Sequence, residues 1–183
     1  MPADIQSANT GVTISVFTAE EVAAHLEGLG ALLHACVHAG ASVNFVLPFA
    51  PADAAAFWRD NTLPKLCAGA RLLLVARAGG GIVGTVQLDT DTPPHQPHRA
   101  EVSKLLVHPE MRRRGIARAL MAAVERQARQ MERSLITLDT RTGDTAEPLY
   151  ASLGYATVGV IPGYCRAPAE DRLDSTTIMY KTL

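Results

Sequence analysis

Arg112, Arg113 and Arg114, followed by Gly115, separate an apolar run (Leu105, Leu106, Val107) from an amphipathic segment that begins near Ile116. A helix N-terminus already carries partial positive charge and unpaired N–H donors, so it favours acidic neighbours. Three arginines at that position call for an anion from outside the chain. Backbone N–H groups converge at such a turn, Gly115 admits a ligand closely, and guanidinium forks match phosphate oxygens. A pyrophosphate is the natural occupant. The competing reading of an isolated Arg-Arg-Arg-Gly is a solvated basic patch, and the strand-turn-helix setting weighs against it. The dinucleotide and P-loop fingerprints, GxGxxG and GK[ST], are both missing from the turn.

The bulk composition makes this anion site a local feature. The chain has 183 residues and a formal net charge of −1, which excludes the general basic excess of a nucleic-acid binder. Apolar residues make up 48% and charged residues 19%, the balance of one globular domain spanning 1–183 with a flexible stretch at about residues 1–10. Cys36, Cys67 and Cys165 form no CxxC pair, so neither a disulfide framework nor a zinc site is expected. The N-terminus lacks the basic-then-apolar order of a signal peptide and no apolar run approaches a membrane span, so a soluble cytoplasmic protein with no membrane partner is expected.

The elements that position the turn follow from periodicity. "VTISVFT" (12–18) reads as a first strand, and Thr18 with Glu21 as a capping box opening a helix that runs to about Ala39, where Gly40 ends it. Residues 40–51 show no clear period, and 53–69 read as a second helix disturbed near Pro64. Residues 70–91 form a hairpin about Gly79, Gly80 and Gly81, and 99–109 a fourth strand. In the third helix Ile116, Leu120, Ala123 and Val124 make the apolar stripe, while Arg118, Glu125, Arg126 and Arg129 face water, Glu125 pairing with Arg129. A fifth strand (134–140), a short helix (145–154), a sixth strand (155–161) and a seventh (176–183) complete a mixed α/β chain without internal repeats.

The order Arg112, Gly115, Ala117, an R-x-x-G-x-A pattern between strand and helix, resembles the acyl-CoA pyrophosphate loop of the GCN5-related N-acetyltransferase (GNAT) superfamily. "VSKLLVHP" before the loop and "LYASLGY" after the fifth strand fall in the order and spacing of that superfamily, so the resemblance covers nearly the whole chain. "GASVNF", "HRAEVSKLLVHP", "LDT" and "PGYC" look like the corresponding pieces of the tabtoxin-resistance proteins, members that acetylate a β-lactam toxin. The resemblance implies a GNAT fold, with a twisted, mostly antiparallel sheet of about seven strands and helices on both faces. It implies acetyl-CoA as cosubstrate and no metal. Arg112, Arg113, Arg114, Gly115, Ile116 and Ala117 would hold the pyrophosphate, and the backbones of Leu105, Leu106 and Val107 would pair with the pantetheine arm as an added strand does. Gly143 stands where many members carry an asparagine that touches the cofactor.

Direct transfer to an amine needs a base, because an alkylamine in water is mostly protonated at neutral pH. Glu101, near the start of the fourth strand, and Asp139, near the end of the fifth, are the acidic candidates in otherwise apolar surroundings. They match positions thought to act as bases in the tabtoxin-resistance proteins. The alternative for each is a structural carboxylate paired with Arg99, Lys104 or Arg141. Tyr150 matches the family tyrosine beside the coenzyme A sulfur, and a phenol of reference pKa about 10 can donate at pH 7 without tuning. The alternative there is a tyrosine packed on the sheet.

The loops 40–45 and 162–172 are expected to line the acceptor pocket, with Ser42, Asn44, Phe45 and Tyr164 as contacts. Both acids together with Arg166 suit a small zwitterion. Cys36 and Cys67 read as buried hydrophobes, Cys165 as a pocket residue, His108 as a turn cap, and His34 with His38 as an i,i+4 pair without a third metal ligand. The function expected is N-acetylation of a small primary amine, such as an amino-acid-like toxin or antibiotic. The alternatives are a protein or peptide N-acetyltransferase and a silent acyl-CoA-binding member. A homodimer is allowed, and no motif specifies one.

Overall fold

The computed structural model of the protein describes residues 5–6 and 11–183. Its strands and helices, in chain order, are β1 (Ile5–Gln6), β2 (Val12–Phe17), α1 (Ala19–Ala24), α2 (Leu26–His38), α3 (Pro51–Phe57), α4 (Leu63–Cys67), β3 (Arg71–Ala78), β4 (Gly81–Asp89), β5 (Arg99–Val107), α5 (Ile116–Gln130), β6 (Leu135–Arg141), α6 (Ala146–Ser152), β7 (Ala156–Arg166) and β8 (Leu173–Thr182). One sheet runs in the order β1-β2-β3-β4-β5-β6-β8-β7. Its pairs are antiparallel except β5 with β6. The seven expected strands are all present, and β1 adds a two-residue edge beside β2. The expected flexibility of residues 1–10 otherwise lies outside the described residues.

Each face of the sheet buries its own core. α5 and Tyr150 of α6 cover one face through Ile116, Leu120, Met121 and Val124 against Ile14, Leu74, Val86 and Ile136. The helical segments from α1 to α4 cover the other through Val22, Leu29, Leu33 and Trp58 against Phe17, Leu73, Val75 and Leu106. Alternate residues of β3 thus serve opposite cores, Leu73 and Val75 one and Leu74 and Ala76 the other, as the period of 2 requires. No helix among the described residues is long and apolar enough to cross a membrane.

Several local outcomes differ from the periodicity reading. The Thr18–Glu21 capping box forms, but the first helix divides at His25, whose ring nitrogen bonds the Glu21 carbonyl at 2.8 Å while its backbone leaves helical geometry. The second helix is not broken at Pro64. It widens into a π-helical stretch, Trp58–Thr62, so that the Leu63 N–H reaches the Trp58 carbonyl just before the proline, which has no N–H of its own. Glu125 is buried and pairs with Lys181 at 2.7 Å rather than with Arg129, because the Lys181 side chain reaches that edge of α5 from β8. Cys67 is exposed at the end of α4, since the last turn of that short helix faces outward, whereas Cys36 is buried. The first part of 162–172 is not loop: β7 runs on to Arg166, its irregularity between Ile161 and Cys165 absorbing the Pro162-Gly163 pair.

Gly84 on β4 allows α5 to approach the sheet. A Cβ built there would stand 2.9 Å from the Leu106 carbonyl oxygen, 3.1 Å from Leu120 Cδ1 and 3.3 Å from Ile116 Cγ2. Gly84→Ala is expected to destabilise the fold by about 1–3 kcal/mol through overpacking. Urea unfolding should report this as a lower midpoint at unchanged slope.

Candidate active site

Strands β5 and β6 pair only at their beginnings, Arg99, Ala100 and Glu101 opposite Leu135, Ile136 and Thr137. Beyond that point β6 continues beside β8 alone, and β5 beside β4 alone. The edge of β5 that faces β6 is therefore unpaired over Ser103 to Val107. A bulge reinforces the divergence: two residues of β5 lie between its Ser103–Gln87 and Leu106–Thr85 partners where β4 has one, and Lys104 takes a left-handed φ of 51°. The result is a cleft of about 750 Å³ whose walls include the β5 edge, the 112–118 turn, α6 and the 39–44 loop.

The turn after β5 is rich in free donors. It passes through the short 3-10 helix Pro109–Met111, then Arg113 and Gly115 in left-handed conformations (φ 63° and 79°), before α5 starts at Ile116. Gly115 at the N-cap offers no side-chain cap, and the first turn of α5 contains no acidic residue. The first helical bond into this end is Ala119 N–H to the Gly115 carbonyl, and no acceptor among the described residues meets the amides of residues 113–118. A row of unpaired N–H groups at a helix start is an anion cradle. Arg112 and Arg113 line the cleft beside it, whereas Arg114 points away and bonds the Glu110 carbonyl at 3.4 Å. Leu105, Leu106 and Val107 also line the cleft, with the Leu106 side chain buried in the core under α2. The Val107 carbonyl already accepts from Cys36 Sγ (3.4 Å) and Arg112 Nε (3.5 Å), which ties the turn to α2.

The reactive candidates divide. Asp139 and Tyr150 share the cleft wall. Asp139 is exposed, and its Oδ2 accepts from Thr176 Oγ1 at 3.1 Å. Tyr150 is 6% exposed and its ring packs edge-on against Tyr155. Burial, then the charges of Asp139 and Asp144, push its phenol well above the ordinary range, which favours the protonated form. Glu101 does not line the cleft. Its side chain is 53% exposed, stands 3.7 Å from Arg99, and faces a separate depression of about 150 Å³ with Lys65 and Asp89. The surroundings expected to be apolar for both acids are thus polar, because each side chain emerges at a strand edge where the sheet opens.

Of the acceptor contacts, Ser42, Asn44 and Tyr164 line the cleft, and Ser42 Oγ lies 3.8 Å from Cys165 Sγ, joining the 39–44 loop to β7. Phe45 lies behind this wall in a cluster with Phe49 and Phe57. Gly143 is outside the wall and donates its N–H to Glu147, while Asp144 and Thr145 border the cleft. His108 makes no side-chain cap bond; its backbone N–H reaches the Val83 carbonyl instead. The rings of His34 and His38 lie with centroids 4.0 Å apart, tilted by 31°.

Three cleft residues were not singled out from the sequence. Arg118 is exposed, as expected, and from there it lines the cleft and donates to Ser152 Oγ at 2.8 Å. An arginine in a helical first turn, where a cation is disfavoured, was its available signal. Thr176 reaches Asp139 only through the β6–β8 register, and Lys104 only through the bulge.

The sequence profile of the Acetyltransferase (GNAT) family matches residues 41–155, more than half of the chain. Among solved structures, the ribosomal-protein-alanine N-acetyltransferase from Brucella melitensis shares 23% identity, covers 93% of this chain and 99% of its own, and superposes with a TM-score of 0.74. A protein from Salmonella typhimurium, solved with its cofactor acetyl-CoA, shares 18% identity over 95% of both chains with a TM-score of 0.75. An N-acetyltransferase from Staphylococcus aureus Mu50 shares 15% identity over 94% of this chain and 99% of its own, with a TM-score of 0.77. These likenesses are likenesses of fold, and with the profile match over more than half of its residues the chain belongs to the GNAT family of acetyltransferases.

Proposed function

We propose that this acetyltransferase transfers the acetyl group of acetyl-CoA to the primary amine of a small, amino-acid-like molecule, by direct attack on the thioester. The observation that carries the reading is the meeting of Asp139 and Tyr150 in one cleft that also contains the amide row of the 112–118 turn and the unpaired edge of β5. The 113–118 amides with Arg112 and Arg113 hold the pyrophosphate, and the Ser103–Val107 edge holds the pantetheine arm. Acetyl-CoA supplies an acetyl group activated as a thioester. Asp139 takes the proton that an alkylammonium must lose before its nitrogen forms the new N–C bond. As the C–S bond breaks, the Tyr150 hydroxyl donates a hydrogen bond to the sulfur, which leaves with the electron pair; the attacking nitrogen sheds its second proton to solvent, and the thiolate takes one up from solvent. Asp139 is the main base in this reading. Glu101 acts at a distance, through the field it adds at the closed end of the splay.

Support for a small acceptor comes from the 39–44 loop and β7, which meet over the cleft at Ser42 and Cys165. A toxin or antibiotic acceptor rests on the likeness of "GASVNF" and "PGYC" to the tabtoxin-resistance proteins. A second reading, acetylation of a protein N-terminus, is favoured by the fold likeness to ribosomal-protein-alanine N-acetyltransferases. Coenzyme A release, followed across free amino acids, amino-acid-like toxins, simple amines and alanine-starting peptides, separates the two. Turnover of free amino-acid-like amines is expected; turnover of the peptides alone would contradict the proposal.

Arg112→Ala is expected to raise the acetyl-CoA Kd about tenfold and to flatten its dependence on salt, since a charge-assisted contact and the Val107 clamp go together. Calorimetry at two ionic strengths checks both.

A further inference from the structure

The charge of Lys104 has no partner among the described residues. Lys104 is one of the residues lining the cleft, yet no carboxylate among the described residues stands within ion-pair distance of its Nζ. Glu101 is engaged by Arg99 at 3.7 Å, and Asp139 by the Thr176 hydroxyl at 3.1 Å. Two phenyl rings flank the ammonium instead, Phe57 with its centroid at 5.4 Å and Phe45 at 6.0 Å. Cation–π contacts orient such a group but do not neutralise it.

The backbone is shaped to deliver this side chain. Lys104 occupies the β5 bulge with φ at 51°, a conformation that is uncommon for a residue with a Cβ and costs about 1 kcal/mol or more. The Thr85 hydroxyl, fully buried, secures the Lys104 carbonyl at 3.1 Å. Burial first, then the like charge of Arg71, bring the Lys104 pKa down to about 8, against the opposing pull of Asp139 and Glu101. A cation held under those penalties is one that gains most from an arriving anion.

The phosphates of the cofactor are poorly placed to be that anion. Their cradle begins at Arg113, beyond the far end of β5, and the three strand steps from Lys104 to Val107 alone span about 10 Å. Asp139, by contrast, lines the same cleft and lies near enough for its charge to act on Lys104, and it is there that the acceptor amine must lose its proton.

We propose that Lys104 is the residue that selects the acceptor, binding a carboxylate on the same small molecule whose amine faces Asp139, so that the site takes amino acids and their analogues in preference to neutral amines. This rests on the small-molecule reading above. It adds a specificity determinant that needs no contact with the reacting atoms.

The test uses full-length protein saturated with coenzyme A. It is titrated calorimetrically with the twenty N-acetyl-α-amino acids and with their carboxamides, which mimic the product with and without its negative charge. The best-bound carboxylate is expected to bind at least about tenfold more tightly than its carboxamide, as expected for a buried charge-assisted contact. Lys104→Met should bring that ratio to near one, and Lys104→Arg should retain it within about threefold. Both variants are checked by circular dichroism and for acetyl-CoA affinity, so that a folding defect is not mistaken for lost recognition. A wild-type ratio near one, a preference that persists in Lys104→Met, or no binding of any carboxylate would overturn the proposal. Lys104-dependent binding of carboxylates without coenzyme A release from any amine would keep the anion site and remove the acetylation reading. Release from small amines without carboxylate preference would do the reverse.

Discussion

Asp139→Asn is expected to lower kcat/KM for acetyl transfer by about 10²–10³-fold while leaving the acetyl-CoA Kd within about twofold, the loss appropriate to a general base. Asparagine preserves the size of the side chain and can still accept the Thr176 hydroxyl bond, which spans 3.1 Å in the protein. It cannot take a proton from an ammonium. The deficit should therefore shrink as pH rises, because the acceptor amine increasingly arrives deprotonated and needs less help. A deficit constant from pH 7 to 10 would reduce Asp139 to a structural acid. Glu101→Gln, remote from the cleft wall and paired with Arg99, is expected to cost less.

Tyr150→Phe is the second large effect: kcat should fall about 10–100-fold with acetyl-CoA binding nearly unchanged. The variant is unusually clean. No group of the protein among the described residues hydrogen-bonds the Tyr150 hydroxyl, while its ring packs against Tyr155 with centroids 5.8 Å apart. Removing the oxygen leaves that packing intact and orphans no partner, so the unfolding midpoint should move little. Because burial and the neighbouring carboxylates hold the phenol above its ordinary range, complete proton transfer to a thiolate of ordinary pKa about 8.5 would run uphill. Tyr150 then acts as a hydrogen-bond donor, and the wild-type profile should show no fall caused by its ionisation below pH 10. An unchanged rate in single-turnover experiments, where product release plays no part, would remove this role.

How much of this site could be read before folding depends on whether the signal was local. The Arg112–Ala117 turn was legible because a strand, a glycine and an amphipathic helix follow one another within a short stretch. The Thr18–Glu21 box and the stripe Ile116, Leu120, Val124 were legible for the same reason. Lys104 was not, since its position in the cleft depends on a bulge defined by the register of β4 against β5, and no glycine marks it. Glu125 looked like a surface residue because its partner, Lys181, lies at the far end of the chain. Tyr164 and Cys165 border the cleft from a strand and not from the loop expected: Pro162-Gly163 has the composition of a turn, and the pairing of β7 with β8 resumes beyond it at Cys165. Glu101 and Asp139 looked alike as strand carboxylates. They part company because β5 and β6 separate just after Glu101.

The central claim is that acetyl-CoA lies between the separated strands with its diphosphate on the start of α5. Hydrogen exchange of the backbone amides, measured with and without saturating acetyl-CoA, tests it most directly. Slowed exchange is predicted at residues 103–107 and 113–118, with little change across the distant β2–β3 pair. Tight binding that leaves both stretches unaltered, or that protects a different surface such as the exposed outer face of β7, would contradict it.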